Sequence, residues 1–493
     1  MLPYKTLLKI DRSSTEAVFK QIASQLVLLI QKGILQPGMS LPSARILAID
    51  LGLHRKTIMA AYSELITEDW IISEERKEYR VSESLPILKP RSYGNKVRSN
   101  YPAKSSITFD TMDHVPSLTK TTADFKVIIN DGFPDVNIFP VERVANEYKR
   151  LLMQETLKKA STSWNIDGSQ IFKEALTLFL NDTRGLNIGP ENLMVTRGAQ
   201  MAIYIASSLI IKPGDKVLVT SPSYFFADAI FRQLGAQLIT IPVDNDGADV
   251  DAIEEAISHH DIRLLYIIPH HHHPTTVTLS SARRTKLLEL IKKHELSVIE
   301  DDYDYDFQYQ YSPYLPLASG AHDGQVIYIG SLTKVLGSNF RIGYIISTPD
   351  FLHSAIKLKT LIDLRGDVLM EEIIASLMQS GEFSRFIMKA NKLYSHRCNY
   401  AADLISCELS HLVEFTKPQG GMALWLKFKE NHQLANIINK AHPLGLHFSG
   451  KAYFKDQGLS YDAIRFGFAS VDEKEIDFAV DVLKKITLTK SQP

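Results

Sequence analysis

Lys334 follows the apolar run Val326-Ile327-Tyr328-Ile329-Gly330 by way of Ser331-Leu332-Thr333, and Arg341 stands shortly downstream. Just before that run lies Glu300-Asp301-Asp302-Tyr303. A lysine at a strand end can form a Schiff base with an aldehyde when its ammonium is kept partly deprotonated. A carboxylate on a neighbouring strand end can hold a ring nitrogen protonated, and a nearby arginine can take a phosphate. Those three requirements are the ones pyridoxal 5′-phosphate (PLP) places on a protein. Other positions extend the set. Gly198-Ala199-Gln200 falls between a strand and a helix, where free N–H groups can hold a phosphate. Ser331, Thr333 and Arg341 add hydroxyl and guanidinium donors. Tyr224 can lie over a pyridine face, and Arg465 can grip an amino acid's carboxylate in bidentate fashion.

A second chemistry sits at the front of the chain. Leu41-Pro42-Ser43-Ala44-Arg45 and His54-Arg55-Lys56-Thr57 place hydroxyls and cations at the starts of two successive helices. Helix N-termini favour phosphate oxygens. Arg45, Arg55 and Lys56 can meet backbone phosphate or a guanine edge; Ser43 and Thr57 can position the helices.

The elements that must carry these residues follow from periodicity. Val18, Ile22, Leu26, Leu29 and Ile30 recur at helical spacing, and Gln36-Pro37-Gly38 ends the run. Ser43 caps a helix from Ala44 to Asp50, and Leu51-Gly52-Leu53 turns the chain. A third helix, Arg55 to about Thr67, buries Ile58, Ala61, Tyr62 and Leu65. Ile71–Ser73 and Tyr79–Val81 read as two strands about a charged turn. Three helices and a hairpin with a tight glycine turn describe a winged helix-turn-helix over residues 1–84. Pro86, Pro90 and Pro102 among Lys, Arg, Ser and Asn mark a linker, 85–122. From 123 to 493 strands and amphipathic helices alternate: Asn192–Thr196, Lys216–Thr220, Gln237–Ile241, Arg263–Ile268, Ser297–Glu300 and Gln325–Ile329, with helices such as Ala199–Ile211, Phe225–Leu234 and Ala282–His294 between them. The fold class is therefore multidomain, a winged helix followed by an α/β domain with a mainly parallel central sheet and its site at the strand C-termini.

Composition agrees. A chain of 493 residues is too long for one core. Apolar content of 45% with 23% charged residues is that of a globular protein. Two cysteines, Cys398 and Cys407, exclude a disulfide framework and a cysteine-based zinc site, and fit a cytoplasmic location. No apolar run reaches the ~18–20 residues of a membrane span, and the N-terminus lacks a signal arrangement. Residues 1–100 hold eight Lys and seven Arg against three Asp and seven Glu, a balance of +5 inside a chain of net charge −1. A basic front on an acidic body suits a protein that meets a polyanion at one end.

In order, Val18–Ile22, Leu35–Gly38, Leu41–Ser43, Ala48–Leu53 and Thr57-Ile58 resemble the GntR superfamily of winged-helix regulators. The resemblance implies that Arg45 and Arg55 touch operator DNA. His54 stands where that family usually has a Ser or Thr cap, and Arg76-Lys77-Glu78-Tyr79 lacks its usual wing glycine. The remainder resembles fold-type I aminotransferases through Asn130–Asp135, Thr196–Gln200, Ser221–Tyr224, the Asp301/Tyr303 pair, Lys334 with Arg341, and Ile464–Gly467. Together the chain resembles the MocR subgroup. The family's Asp-x-Tyr spacing implies Asp301, not Asp302, on the ring nitrogen, and Tyr303 on the cofactor's phenolate oxygen. His270-His271-His272-His273-Pro274-Thr275-Thr276 occupies the loop where aminotransferases often carry an Asn-Pro and MocR proteins a Ser-His-Gln-aromatic-Pro-x-Gly pattern, so no Asn is there for the phenolate. The four histidines diverge along one strand end and propose no metal. Trp164 occupies the place of a tyrosine that commonly reaches a neighbouring subunit's phosphate.

The resemblance implies a PLP-dependent transcriptional regulator. It would bind double-stranded operator DNA as a head-to-tail homodimer and respond to PLP, an amine or an amino acid through Lys334. It would not act chiefly as an enzyme, though residual half-transamination is compatible. The alternative is a working aminotransferase with an accessory winged helix, in which Lys334 shuttles a proton and Arg465 holds substrate. A third reading is a sensor of PLP itself that needs no amine.

Overall fold

The computed structural model describes residues 2–12, 14, 16–74, 78–84, 102–112, 115, 124–153, 165–309, 314–337, 339–429, 434–450, 452–454, 459 and 461–488. The chain divides into two compact units, Met1–Asp110 and Thr111–Pro493. Most of the expected linker, together with the wing turn at Arg76-Lys77 and Trp164, lies outside the described residues.

In the first unit, helices α1 (Tyr4–Leu7), α2 (Val18–Gln31), α3 (Ala44–Leu51) and α4 (Arg55–Thr67) pack with a small antiparallel sheet, β1 (Ser40–Leu41), β2 (Ile71–Glu74) and β3 (Glu78–Val81). The apolar stripe of α2 buries Ile22, Leu26, Leu29 and Ile30, and that of α4 buries Ile58, Ala61, Tyr62 and Leu65. Gln21, buried on α2, donates to the carbonyls of Asp11 and Glu16 at 3.0 and 2.9 Å and so pins the chain ahead of the helix. The α3–α4 turn is made at Gly52, whose φ of +63° is a left-handed conformation that favours glycine. Tyr62 packs against Tyr79 with the rings tilted at 53° and their centroids 4.5 Å apart, and donates its hydroxyl to the Pro42 carbonyl at 2.9 Å. That bond fixes α4 against the entry to α3. The winged helix is thus present, with β1 as a third strand.

In the second unit, eight strands form one sheet. They are β5 (Leu193–Thr196), β6 (Lys216–Ser221), β7 (Gln237–Asp244), β8 (Gly247–Ala248), β9 (Ile262–Ile267), β10 (Val298–Asp302), β11 (Val326–Ser331) and β12 (Gly343–Ile346), and β4 (Val127–Ile129) lies elsewhere. The order is β5-β12-β11-β10-β9-β6-β7-β8. β11, β10, β9, β6 and β7 run parallel; β12 is antiparallel to both β11 and β5. The central strands are buried on both faces, which is why they read as continuous apolar runs. A smaller antiparallel sheet follows, β13 (Val413–Glu414), β14 (Ala423–Phe428), β16 (Ala452–Tyr453) and β17 (Asp462–Gly467), while β15 (Leu446–Phe448) pairs with β4. In the large sheet β5, antiparallel to β12, runs the same way as the five parallel strands, so six strand ends open on one side, as a doubly wound sheet requires of its site.

The segment after β4 is tied down by its own polar groups. Asn130 accepts from the Gly132 and Phe133 amides at 3.0 and 2.8 Å and donates to Ser470 at 2.6 Å. Asp135 pairs with Arg397 of the long helix Glu382–Glu408 at 2.9 Å, and both side chains are buried. Removing one partner leaves the other charged and dry. Arg397→Ala should therefore cost about 3–5 kcal/mol, seen as a fall in the urea midpoint of the second unit. A loss below ~1 kcal/mol would mean that the pair does not hold this segment.

Candidate cofactor pocket and nucleic-acid interface

The strand ends bring the expected chemistry together. Lys334 stands at the second position of a short helix, Thr333–Leu336, immediately after β11. Its ammonium donates to the Gly132 carbonyl at 2.6 Å and lies 4.3 Å from the centre of the Phe133 ring and 5.7 Å from that of Tyr303. Burial pulls its pKa down to about 8, with Arg465 acting the same way and Asp131 and Asp304 opposing. Roughly a tenth of the amine is then neutral at pH 7. A free lysine would hold a few ten-thousandths.

Asp301 lies on β10, paired in register with Ile329 of β11. Strand alternation separates it from its neighbours on the same strand. Glu300 accepts from the Leu317 and Ala318 amides, both at 2.8 Å, and Asp302 accepts from Tyr328 at 2.7 Å with His270 at 3.5 Å. Asp301 instead accepts from the Tyr266 hydroxyl at 2.6 Å through Oδ2, and its buried Oδ1 has no hydrogen-bond partner among the described residues. Burial raises this carboxyl to about 7, against the Tyr266 bond. Asp302 is held below the usual carboxylate range in spite of burial, by His270 and Arg184. A buried carboxyl with an open oxygen can pair with a protonated pyridine nitrogen, whose positive charge would favour the carboxylate that burial alone disfavours.

The helix Ala199–Ile210 begins at Gly198, whose φ is +82°. Gly343 of β12 runs so close beneath it that an added Cβ would lie 2.4 Å from the Gly198 carbonyl carbon. The guanidinium of Arg341 borders the same turn: a Cβ on Gly198 would sit 3.0 Å from it. The amides of Ala199 and Gln200 precede the first helical bond, so an anion can use them. Ser331 and Thr333 are hydrogen-bonded within their own loop. Ser331 accepts from the Thr333 amide at 3.1 Å, and Thr333 donates to the Phe340 carbonyl at 3.2 Å. Their hydroxyls shape the loop that carries Lys334.

Tyr224, partly buried ahead of helix Phe225–Gln233, meets His273 edge to face at 5.1 Å. The Tyr303 hydroxyl donates to the His271 carbonyl at 2.8 Å. Each histidine of the 270–273 loop has its own partner: Tyr314 carbonyl for His270, Asp304 for His271, Thr220 and Thr275 for His272, and Asp131 for His273. No group of three or more His, Cys, Asp or Glu that could hold a metal occurs among the described residues.

Arg465, on β17, is where sequence reasoning was least complete. Its Nε pairs with Asp131 at 2.9 Å and its Nη1 donates to the Pro274 carbonyl at 3.0 Å. The missed residues are Asp131, Tyr266, Gly343 and Asp304. Asp131 stood inside a quoted motif, but nothing in the sequence linked it to an arginine so far along the chain.

In the first unit, Ser43 caps α3 by accepting from the Ile46 amide at 3.4 Å. His54 caps α4 after all, its Nδ1 accepting from the Lys56 amide at 3.2 Å, so the imidazole fills the role of the usual hydroxyl. Arg45, Arg55 and Lys56 are exposed, Thr57 is partly buried, and none of the three cations joins an ion pair among the described residues. Ile46, Ile49 and Met59 are exposed beside them, Ile49 at 71%.

A buried lysine of lowered pKa, a buried acid with an open oxygen and a glycine helix start beside an arginine define a PLP-type site behind a helix-turn-helix. Residues 129–483 match the family Aminotransferase class I and II, and residues 19–81 match Bacterial regulatory proteins, gntR family. The chain belongs to the aminotransferase class I and II family and carries a GntR helix-turn-helix in front of it, the MocR arrangement. It is 23% identical to the probable rhizopine catabolism regulatory protein MocR of Rhizobium meliloti over 98% of this chain and 96% of that one. It is 27% identical to aromatic-amino-acid aminotransferase 1 of Thermococcus litoralis over 70% of this chain and 84% of that one. An archaeal alanine:glyoxylate aminotransferase matches with a TM-score of 0.69 and 28% identity, over 75% of this chain and 92% of that one. The fold expectation holds, and family and pocket together make the cofactor pyridoxal phosphate. No described helix is long and apolar enough to cross a membrane.

Because a neutral amine must attack the aldehyde, PLP uptake by the full chain should quicken as pH rises from about 6.5 to 8.5 and level off above ~9. Stopped-flow absorbance of the yellow species measures this. A flat profile would contradict the lowered lysine. Lys334→Ala should abolish the yellow band while circular dichroism stays unchanged; a persisting band would assign the cofactor to another lysine.

Proposed function

We propose that this chain is a transcriptional regulator that binds double-stranded operator DNA through α3 and α4 and responds to PLP or an amine at Lys334. The observation that carries this reading is the pairing, in one polypeptide, of exposed cations at the two helix starts with a lysine and an acid set for PLP. PLP, when bound, supplies an aldehyde carbon that takes amino nitrogen and a ring that withdraws electrons. Lys334 offers the amine, Asp301 holds a proton at the ring nitrogen, and Arg341 with the Gly198–Gln200 turn receives the phosphate. Tyr224 and Tyr303 flank that space.

Arg45, Arg55 and Lys56 supply phosphate or base contacts, with Ser43 and Thr57 setting the helix starts. A homodimer, head to tail as in the family, would span two half-sites, and the segment 85–122 would act as the linker between the 1–84 and 123–493 domains. Ligand changes operator affinity only by as much as its affinity differs between the DNA-competent state and the other state. The lysine, acid and phosphate turn also support a second reading, slow half-transamination, since such residues serve proton transfer as well as binding.

Selection of bound duplexes from a random-sequence pool should recover an operator. Arg55→Ala should weaken it by about tenfold or more, the loss of one good base or phosphate contact, without altering PLP uptake. Failure to enrich any sequence, together with rapid multi-turnover transamination, would overturn the regulator reading in favour of the enzyme.

A further inference from the structure

Arg465 is the guanidinium that an amino acid's carboxylate would seek in this pocket, yet the chain fills that seat itself. Asp131 gives Oδ1 to Arg465 Nε at 2.9 Å and Oδ2 to His273 Nε2 at 3.0 Å. Arg465 is buried at 3% exposure, and its Nη1 is spent on the Pro274 carbonyl. Its Nη2 lies against Gly132, where an added Cβ would approach to 3.2 Å. Asn130 and the buried Asp135–Arg397 pair fix the backbone on either side of Asp131, and swinging its side chain away would break both the Arg465 and His273 contacts. Burial favours the neutral acid, but His273, Arg465 and Lys334 outweigh it and hold Asp131 to about 2, so it stays an anion.

We propose that Asp131 acts as a built-in carboxylate that makes this pocket selective for primary amines lacking a carboxylate on the amine-bearing carbon, against the matching α-amino acids. A second carboxylate entering the site would have to displace Asp131 from two bonds or sit beside a like charge in a dry pocket. Either course penalises the amino acid, and neither touches an uncharged amine substituent. The first-expected role of Arg465, gripping an effector carboxylate, is thereby transferred to holding Asp131. This inference rests on the PLP reading and adds the class of effector to it.

The test uses the full chain loaded with PLP. Appearance of the yellow band on loading comes first, and its absence would remove the PLP reading together with this one. The band is then titrated with matched pairs, phenethylamine against phenylalanine, isobutylamine against valine, and ethanolamine against serine, each corrected for its neutral-amine fraction. In the native chain the amine of each pair should bind at least about tenfold more tightly, the scale of one unmatched buried charge contact. Asp131→Asn and Asp131→Gly should each shift the ratio at least about tenfold toward the amino acid, with thermal melting used to certify folding. If neither variant folds, the native ratio alone decides. Equal or tighter binding of amino acids by the native chain, no spectral response to either class, or an unchanged ratio in a folded variant overturns the proposal while leaving PLP binding intact.

Discussion

Two cations and their counter-anions must share one poorly hydrated pocket, and most of the second unit serves that constraint. Lys334 and Arg465 bring positive charge; Asp131 and Asp304 bring the negative charge that acts on both. An unbalanced charge in such a place is strongly destabilising, so each partner must be delivered to within hydrogen-bonding range. Lys334 is the least satisfied member. It has a carbonyl and two aromatic faces near it but no carboxylate in ion-pair contact among the described residues. Burial lowers its pKa against the pull of Asp131 and Asp304, and a lowered pKa is what lets it meet an aldehyde.

Delivery is the task of the sheet. β10 and β11 are parallel neighbours, so Asp301 and the loop bearing Lys334 leave the same edge. β5 and β12 bring the Gly198 turn and Gly343 into contact, which sets Arg341 at the helix start. β17, on the smaller sheet, contributes Arg465, and the chain after β4 contributes Asp131. Residues far apart in the chain thus meet because several separate elements end at one place.

Much of this was visible without coordinates where spacing is local. The buried faces of α2 and α4 follow their 3.6-residue period, and Ser43 was legible as a cap because its role depends on residues within one turn. The choice of Asp301 over Asp302 rested on resemblance; in the structure Asp301 meets Tyr266 while Asp302 meets Tyr328 and His270, and each keeps one oxygen without a hydrogen-bond partner among the described residues. Contacts that depend on register or distant closure were not legible. Tyr266 reaches Asp301 only because β9 and β10 pair as they do. β1 has two residues, too few for any period to show. The Asp131–Arg465 pair joins segments with most of the second unit between them, and no sequence pattern marks it.

In the proposed regulator, the state of Lys334 is felt at α3 and α4 of the same polypeptide. Operator affinity of the full chain, measured by fluorescence anisotropy with and without PLP, tests this most directly when set beside the Lys334→Ala variant. The native chain should change its dissociation constant several-fold when the cofactor, or the cofactor with an amine, is added, and the variant should not respond. Identical affinities for the native chain under all ligand conditions would contradict the account.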